Sequence, residues 1–189
     1  MRKTFVCFML QVVALAVASA AASAQGPVQL SIDPRRSTAQ FSVSHIWVDR
    51  VSGSVPILRG TIALISGSAM PSSITATLDA TRISTSDPDR DAALESPDFF
   101  DAKQFPTWTF SSTKIVAQGA SAFVMFGDLT LHGVLRPVRL DVTVAGDAAH
   151  PVYHARGQID RRSFGMAVTR LDPVIGNPVD VTLDVYTKP

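Results

Sequence analysis

DPDRDAALESPDFFDAKQFPTWTFSS, from Asp87 to Ser112, is the stretch on which the reading of the fold turns. Elsewhere apolar and polar residues alternate at period two, the pattern of half-buried strands. Here the period fails and then restarts. Asp87-Pro88 supplies a helix N-cap followed by proline at the first helical position, and Arg90 to Glu95 reads as about two helical turns. Ser96-Pro97 ends them, because the residue before a proline is pushed out of the helical region. Phe99, Phe100 and Phe105-Pro106 follow, then a fresh strand with Trp108 and Phe110 on one face and Thr107, Thr109 and Ser111 on the other. Large aromatics crowded into so short a span need an apolar surface to bury against. The segment is therefore expected to cross a curved sheet and to line or close the mouth of its apolar interior.

Working outward, Thr38 to Ile46 is the first clear strand, with Phe41, Val43 and His45 on one face and Gln40, Ser42 and Ser44 on the other; Trp47 ends it. Val51 to Ile65 alternates less cleanly, and Gly53, Pro56 and Gly60 mark a bent or bulged strand pair. Ile74, Ala76, Leu78 and Ala80 alternate with Thr75, Thr77, Asp79 and Thr81. Beyond the crossing, Trp108 to Val116, Ala122 to Leu131, Val138 to Val144, Val152 to Asp160 and Val179 to Tyr186 read as strands, with reversals at Gln118-Gly119, His132-Gly133 and Gly146 to Pro151. Roughly eight strands on hairpin-length connections give an all-β chain, an antiparallel meander closed into a barrel or folded into a sandwich. Glycine and proline bends inside strands, and the lack of an immunoglobulin-type cysteine pair, favour the barrel.

The N-terminus has a different grammar. Arg2 and Lys3 precede an apolar run from Phe5 to Val17, and Ala22-Ser23-Ala24 fits the small-x-small cleavage pattern, so residues 1–24 are expected to be a secretory signal peptide and 25–189 one domain. The apolar run is short for a span of about 20 residues, and no later stretch could cross as a helix. Cleavage also removes Cys7, the only cysteine, leaving a protein bound for an oxidising compartment without a disulfide. Loss of Arg2 and Lys3 changes the balance to 15 basic against 16 acidic side chains, a formal charge of −1. No basic field exists to hold nucleic acid. Membrane barrels carry aromatic girdles and an apolar face on nearly every strand, whereas these aromatics concentrate in one segment and the last strand ends in Tyr186-Thr187-Lys188-Pro189. A water-soluble barrel, not an integral membrane protein, is the reading adopted.

Motifs for chemistry are weak. His150 and His154 have a zinc-like spacing, but Pro151 lies between them in a turn into a strand, where exposed, unliganded histidines are the better reading. Asp87, Asp89 and Asp91 imitate the start of a calcium loop, yet its sixth position holds Ala92 rather than glycine and its twelfth Asp98 rather than glutamate. Helix capping by Asp87 explains them better. No nucleophile elbow, phosphate loop or dinucleotide fingerprint is present, so neither a catalytic residue nor a metal ligand is assigned. His45 and His132 sit at strand ends, where a structural hydrogen bond is the default and contact with a ligand head group the alternative.

SPDFFDAKQFPTWTFSST (Ser96 to Thr113) and GDLTLHGVLRPVRLDV (Gly127 to Val142) closely resemble the two most recognisable blocks of the YceI-like family of secreted, isoprenoid-binding, lipocalin-like proteins. Ile32, Asp33 and Ser37, the FSVSH of Phe41 to His45, Arg90-Asp91 with Leu94, and the DRRSFGM of Asp160 to Met166 extend the match over nearly the whole chain after the leader. The sequence departs from the family pattern at Ile46 to Val51 and at Val55-Pro56-Ile57. The resemblance implies an extended eight-stranded antiparallel barrel with a helical segment near one end. It also implies an apolar tunnel for a polyisoprenoid or similar amphiphile, in the bacterial periplasm.

A barrel of about eight strands is just wide enough to be filled by its own side chains or to hold one slender ligand. Small inward residues decide which, and Ala76, Ala80 and Gly157 are candidates for keeping a tunnel open. On this reading Phe41, Val43, Trp108, Phe110, Phe123, Leu140 and Leu183 line the tunnel, Phe99 and Phe100 cover its mouth, and His45 and Trp47 complete the contact set. No cofactor is implied beyond a bound polyisoprenoid or isoprenoid quinone-like lipid, and a homodimer is one oligomeric option. Two other classes remain open: a solid barrel that binds a protein through loops such as Gly146 to Pro151, and an enzyme acting on an isoprenoid quinone or lipid with His45 beside the mouth.

Overall fold

Period-two alternation becomes, in the computed structural model, a single antiparallel sheet. Residues 28–45, 49–166 and 174–188 are described; the leader expected at 1–24 and Trp47 lie outside them. Among the described residues the strand segments are β1 (Val28–Ile32), β2 (Thr38–His45), β3 (Asp49–Ser54), β4 (Ile57–Leu64), β5 (Pro71–Asp79), β6 (Thr107–Ala117), β7 (Ala122–Leu131), β8 (Val134–Ala145), β9 (Val152–Asp160) and β10 (Ile175–Lys188). One helix, α1 (Pro88–Glu95), lies between β5 and β6, and short 3-10 turns occupy Ala80–Arg82 and Arg161–Phe164.

Register shows that these ten segments are eight staves. β1 and β2 both pair with β10, with Ile32 opposite Thr187 and Thr38 opposite Asp184, so they are halves of one interrupted stave. β3 and β4 are halves of the next: β3 pairs with β2, while β4 pairs with β1 and β5. From there the meander runs in chain order to β10, whose pairing with β1 and β2 closes the barrel. Closure rules out the sandwich; the edge that remains among the described strands is the outer side of β3, which beyond β2 has only the Ser54–Ser84 bridge.

Each interruption is bridged. Ser37, only 8% exposed, offers its hydroxyl oxygen to the Tyr186 N–H at 3.0 Å and donates to the Tyr186 carbonyl at 3.3 Å, so a side chain replaces the missing backbone partner. At the second break, the Val55 N–H donates to Ala39 O (2.9 Å) and the Asp79 N–H to Pro56 O (2.9 Å).

The meander sorts the connections to two ends. Segments 65–70, 118–121 and 146–151 lie at one end, which we call the floor. The 80–106 crossing, the His132-Gly133 turn and the Arg161–Phe164 turn lie at the other, the mouth. His132 (φ 53°) and Gly133 (φ 71°) both take positive φ, as the tightest right-twisted hairpins require. A Cβ on Gly133 would strike the Phe105 ring at 2.5 Å, so the crossing packs directly on this turn.

At the crossing, Asp87 accepts from the Arg90 N–H (3.1 Å) and Pro88 opens α1, as its sequence predicts. Ser96 ends the helix, its hydroxyl donating to Ala93 O at 2.7 Å. The core is the inside of the barrel, with Ile62, Leu64, Phe123, Tyr153 and Phe164 each no more than 2% exposed.

Candidate functional site

The barrel interior is not filled. An inner chamber of about 140 Å³ and an outer chamber of about 290 Å³ occupy the lumen, and they share the wall residues Phe41, Trp108, Leu131, Ile159 and Val181. Gln40, the Tyr153 hydroxyl and the Trp108 indole N–H are the polar side-chain groups of the described residues lining the inner chamber.

Glycines account for part of this space. Gly53 lies directly across from Phe41 and Gly157 across from Leu140 in the strand register. A Cβ on Gly53 would stand 2.5 Å from the Phe41 ring, one on Gly157 2.6 Å from Leu140, and one on Gly127 2.4 Å from the Phe110 ring. Large inward side chains thus lie against the bare backbone of the neighbouring stave. The residues that look big enough to plug the tunnel are folded onto its wall.

Tyr153 forms the floor. It is 2% exposed, its hydroxyl donates to Ala69 O in the β4–β5 turn at 2.9 Å, and its ring meets Phe123 edge-on at 6.3 Å between centroids. Burial pushes the phenol well above its ordinary ionisation range, so it remains a neutral donor.

The mouth is built by the crossing. Arg90, Ala93 and Leu94 of α1, with Phe99 and Phe100 after it, line the outer chamber. Phe100 is placed by its own N–H donating to Leu94 O (3.0 Å), and its ring lies 4.7 Å from that of Trp108. α1 is moored to the segment before it: Asp91 accepts from both the N–H (2.7 Å) and the hydroxyl (2.6 Å) of Thr85, and the Arg90 Nε donates to that hydroxyl at 2.9 Å. These bonds, led by the Thr85 hydroxyl, hold the Asp91 carboxyl below the usual carboxylate range. Ser84 in turn exchanges two backbone bonds with Ser54 (2.8 and 2.9 Å), which ties the start of the crossing to the inner end of β3. The acidic residues that imitate a calcium loop therefore have structural work: Asp87 caps the helix and Asp91 anchors it.

Of the residues expected from the sequence, Phe41 and Trp108 line both chambers. Val43, His45, Phe99 and Phe100 line the outer one, and Phe110, Leu140 and Leu183 the inner. Phe123 lines neither; its parity is right, but it stands so near the floor that it packs on Tyr153 instead. Trp47 lies outside the described residues. His132 is a structural residue, its Nδ1 3.0 Å from Phe164 O and its ring edge-on to Phe105.

Sequence reasoning assigned no lumen role to Leu131, Ile159 or Val181, although Val181 shares a face with Leu183 and strand parity alone would have found it. Arg161 was also missed. It is 5% exposed and lines the outer chamber, donating to the carbonyls of Gly176 (2.9 Å), Met166 (2.6 Å) and Ile175 (3.1 Å). No periodicity marks it, because it sits in a 3-10 turn just past a strand end.

The outward faces of β8 to β10 carry charge. Arg139 pairs with Asp141 (2.6 Å), His154 with Asp184 (2.6 Å) and Asp180 with Arg50. Such a wall faces water rather than lipid tails. No helix among the described residues is long and apolar enough to cross a membrane.

Comparison with known proteins agrees with this architecture. The UPF0312 protein of Vibrio campbellii is 28% identical over 149 residues, 78% of each chain. The crystal structure of BcnA from Burkholderia cenocepacia superposes with a TM-score of 0.75 at 20% identity, covering 83% of this chain and 99% of that one. A polyisoprenoid binding domain from Saccharophagus degradans superposes with a TM-score of 0.65 at 16% identity, over 84% and 97% of the two chains. The profile of the YceI-like domain matches residues 30–187, and the chain belongs to the YceI-like family.

Proposed function

We propose that this protein is a non-catalytic carrier that holds a polyisoprenoid or similar long-chain amphiphilic lipid in its lumen, and that it works in the periplasm after removal of residues 1–24. The observation that carries this reading is the pair of adjoining apolar chambers, sealed by Tyr153 at one end and bordered by Arg90 and His45 at the other. A greasy tube with polar groups at one end suits a molecule with a long tail and a polar head. The Saccharophagus degradans domain, described as binding polyisoprenoid, has the same fold.

Magnitudes support the tail. A cavity of roughly 150 Å³ admits one benzene ring; the inner chamber is of that size and the outer about twice it. Together they have room for about three such units, or a tail of roughly twenty carbons. Each methylene moved from water gains about 0.8 kcal/mol, a figure that falls to about 0.3 kcal/mol per atom once tail ordering is included. Affinity should therefore climb with chain length and level off near that number, because further carbons must either swell the barrel or trail from the mouth.

The test is extraction of protein released from the periplasm of its native host, followed by mass spectrometry of the organic phase and sequencing of the N-terminus. A co-purifying prenyl lipid and a start at Gln25 are expected. Repeated recovery of lipid-free protein from lipid-replete cells would overturn carriage.

A further inference from the structure

The polar side chains of the outer chamber share one property. Among the described residues lining it they are His45, Arg90, Trp108 and Arg161, with no carboxylate, amide or hydroxyl. Arginine and the indole N–H can only donate, and histidine can donate from either ring nitrogen. Arg161 is engaged by its three backbone carbonyls. Arg90 has Asp87 3.2 Å from one Nη and sends its Nε to Thr85, yet its side chain remains 40% exposed at the rim.

Trp108 is different. Its ring is 7% exposed in the wall common to both chambers, and its Nε1 is buried without any hydrogen-bond partner. Buried donors are almost always paired, and one left alone costs the full desolvation of the group. The other side-chain atom in this condition among the described residues, Asn177 Oδ1, belongs to a residue outside both chamber walls. In the wall of an apolar cavity, such a donor would be satisfied by an acceptor carried in by the ligand.

We propose that the outer chamber selects lipids by the hydrogen-bond polarity of their heads: it takes a head that presents only oxygen acceptors, such as a carbonyl or a phosphate, with Trp108 Nε1–H as the innermost donor. It disfavours an ammonium head, which meets the cationic Arg90 and Arg161 and, among the described polar side chains of the chamber, only one ring nitrogen of His45 as an acceptor. The inference rests on the carrier reading and deepens it, since it names the head where that reading names only the tail.

Four probes with one tail test it on the intact mature protein: geranylgeranyl methyl ketone, geranylgeranyl monophosphate, geranylgeranylamine and the head-less hydrocarbon, compared by competition for the lumen. The ketone and the phosphate are expected to bind roughly three- to tenfold more tightly than the hydrocarbon, the worth of one recovered hydrogen bond, and the amine more weakly than either. Trp108→Phe, which keeps a ring in the wall, should bring the ketone-to-hydrocarbon ratio toward one. An amine that binds as well as the ketone, or a ratio unmoved in that variant, overturns the inference while leaving carriage intact. Binding of none of the four overturns carriage and this inference together.

Discussion

The two ends of the barrel are made of different material. At the floor, short turns join regular strands, and the deciding groups are Tyr153 and Phe123, 2% and 1% exposed and locked edge to face. At the mouth a long crossing replaces the turn, α1 buries no residue of its own, and Phe99 and Phe100 are only half-buried. The floor is held by packing; at the mouth Ala80, Ile83, Ala102 and Phe164 are buried, but α1 itself is held by a chain of small hydrogen bonds running from Ser54 through Ser84 and Thr85 to Asp91. Packed cores resist opening as units, whereas segments with few buried contacts open at a fraction of the global cost. On the carrier reading proposed above, the difference makes the floor the stopper and the mouth the entrance.

The largest test of that contrast is truncation at each end. Tyr153→Ala removes a fully buried ring and an internal hydrogen bond, and should cost about 3–5 kcal/mol in denaturant unfolding. Phe100→Ala should cost less than about 2 kcal/mol, because its ring is already partly in water. Equal losses would mean that the mouth is as tightly built as the floor. A smaller but more specific effect is expected from Gly53→Val. Its side chain must displace the Phe41 ring, 2.5 Å from the new Cβ, and presses on Ser84 O at 2.8 Å. The strain should be about 1–3 kcal/mol. Because Phe41 walls both chambers, lipid capacity should fall with stability, and a variant that kept full capacity would show that Phe41 has elsewhere to go.

Ser37→Ala tests the seam between β1 and β2. It strands the Tyr186 N–H beneath a side chain that can no longer accept, and should cost about 1–2 kcal/mol. That seam also shows where the sequence was legible and where it was not. Strands with unbroken alternation, such as β5, β7 and β8, could be read directly because period two survives wherever one face is wet. β1 could not: its VQLSI is too short to establish a period, and its place in the barrel depends on Ser37 standing in for backbone across the break. β10 begins at Ile175 rather than Val179 because the irregular register between those residues, over Gly176-Asn177-Pro178, breaks the alternation. The same holds within the site. Parity placed Phe41, Val43, His45, Trp108, Phe110, Leu140 and Leu183 in the lumen. It put Phe123 on the correct inward face but could not tell that it stands at the floor beside Tyr153, because parity carries no information about height along the barrel, and it could not find Arg161, which is on no strand.

The smallest expected effect separates the ends by pH. Asp91 has its carboxyl lowered below the ordinary 3.8, first by the Thr85 hydroxyl and then by the Thr85 N–H and neighbours. A lowered carboxylate contributes stability that is complete above the unfolded value and is lost as the pH falls through the folded one, so the mooring of α1 should fail only below pH 3.8. Tyr153 has the opposite sign. Its phenol is raised from 10.0 by burial, so its contribution is complete below that value and is lost as the pH climbs past it. Global acid unfolding does not isolate the mouth, because Asp79, Asp147 and Asp180 are lowered too by their own hydrogen bonds. Residue-resolved amide exchange does. The Thr85 amide should lose protection on the acid side while the strands flanking Tyr153 keep theirs, and those strands should yield first in alkali. If both regions failed together at both extremes, entrance and stopper would be one cooperative unit, and the mouth could not open for a lipid without unfolding the barrel.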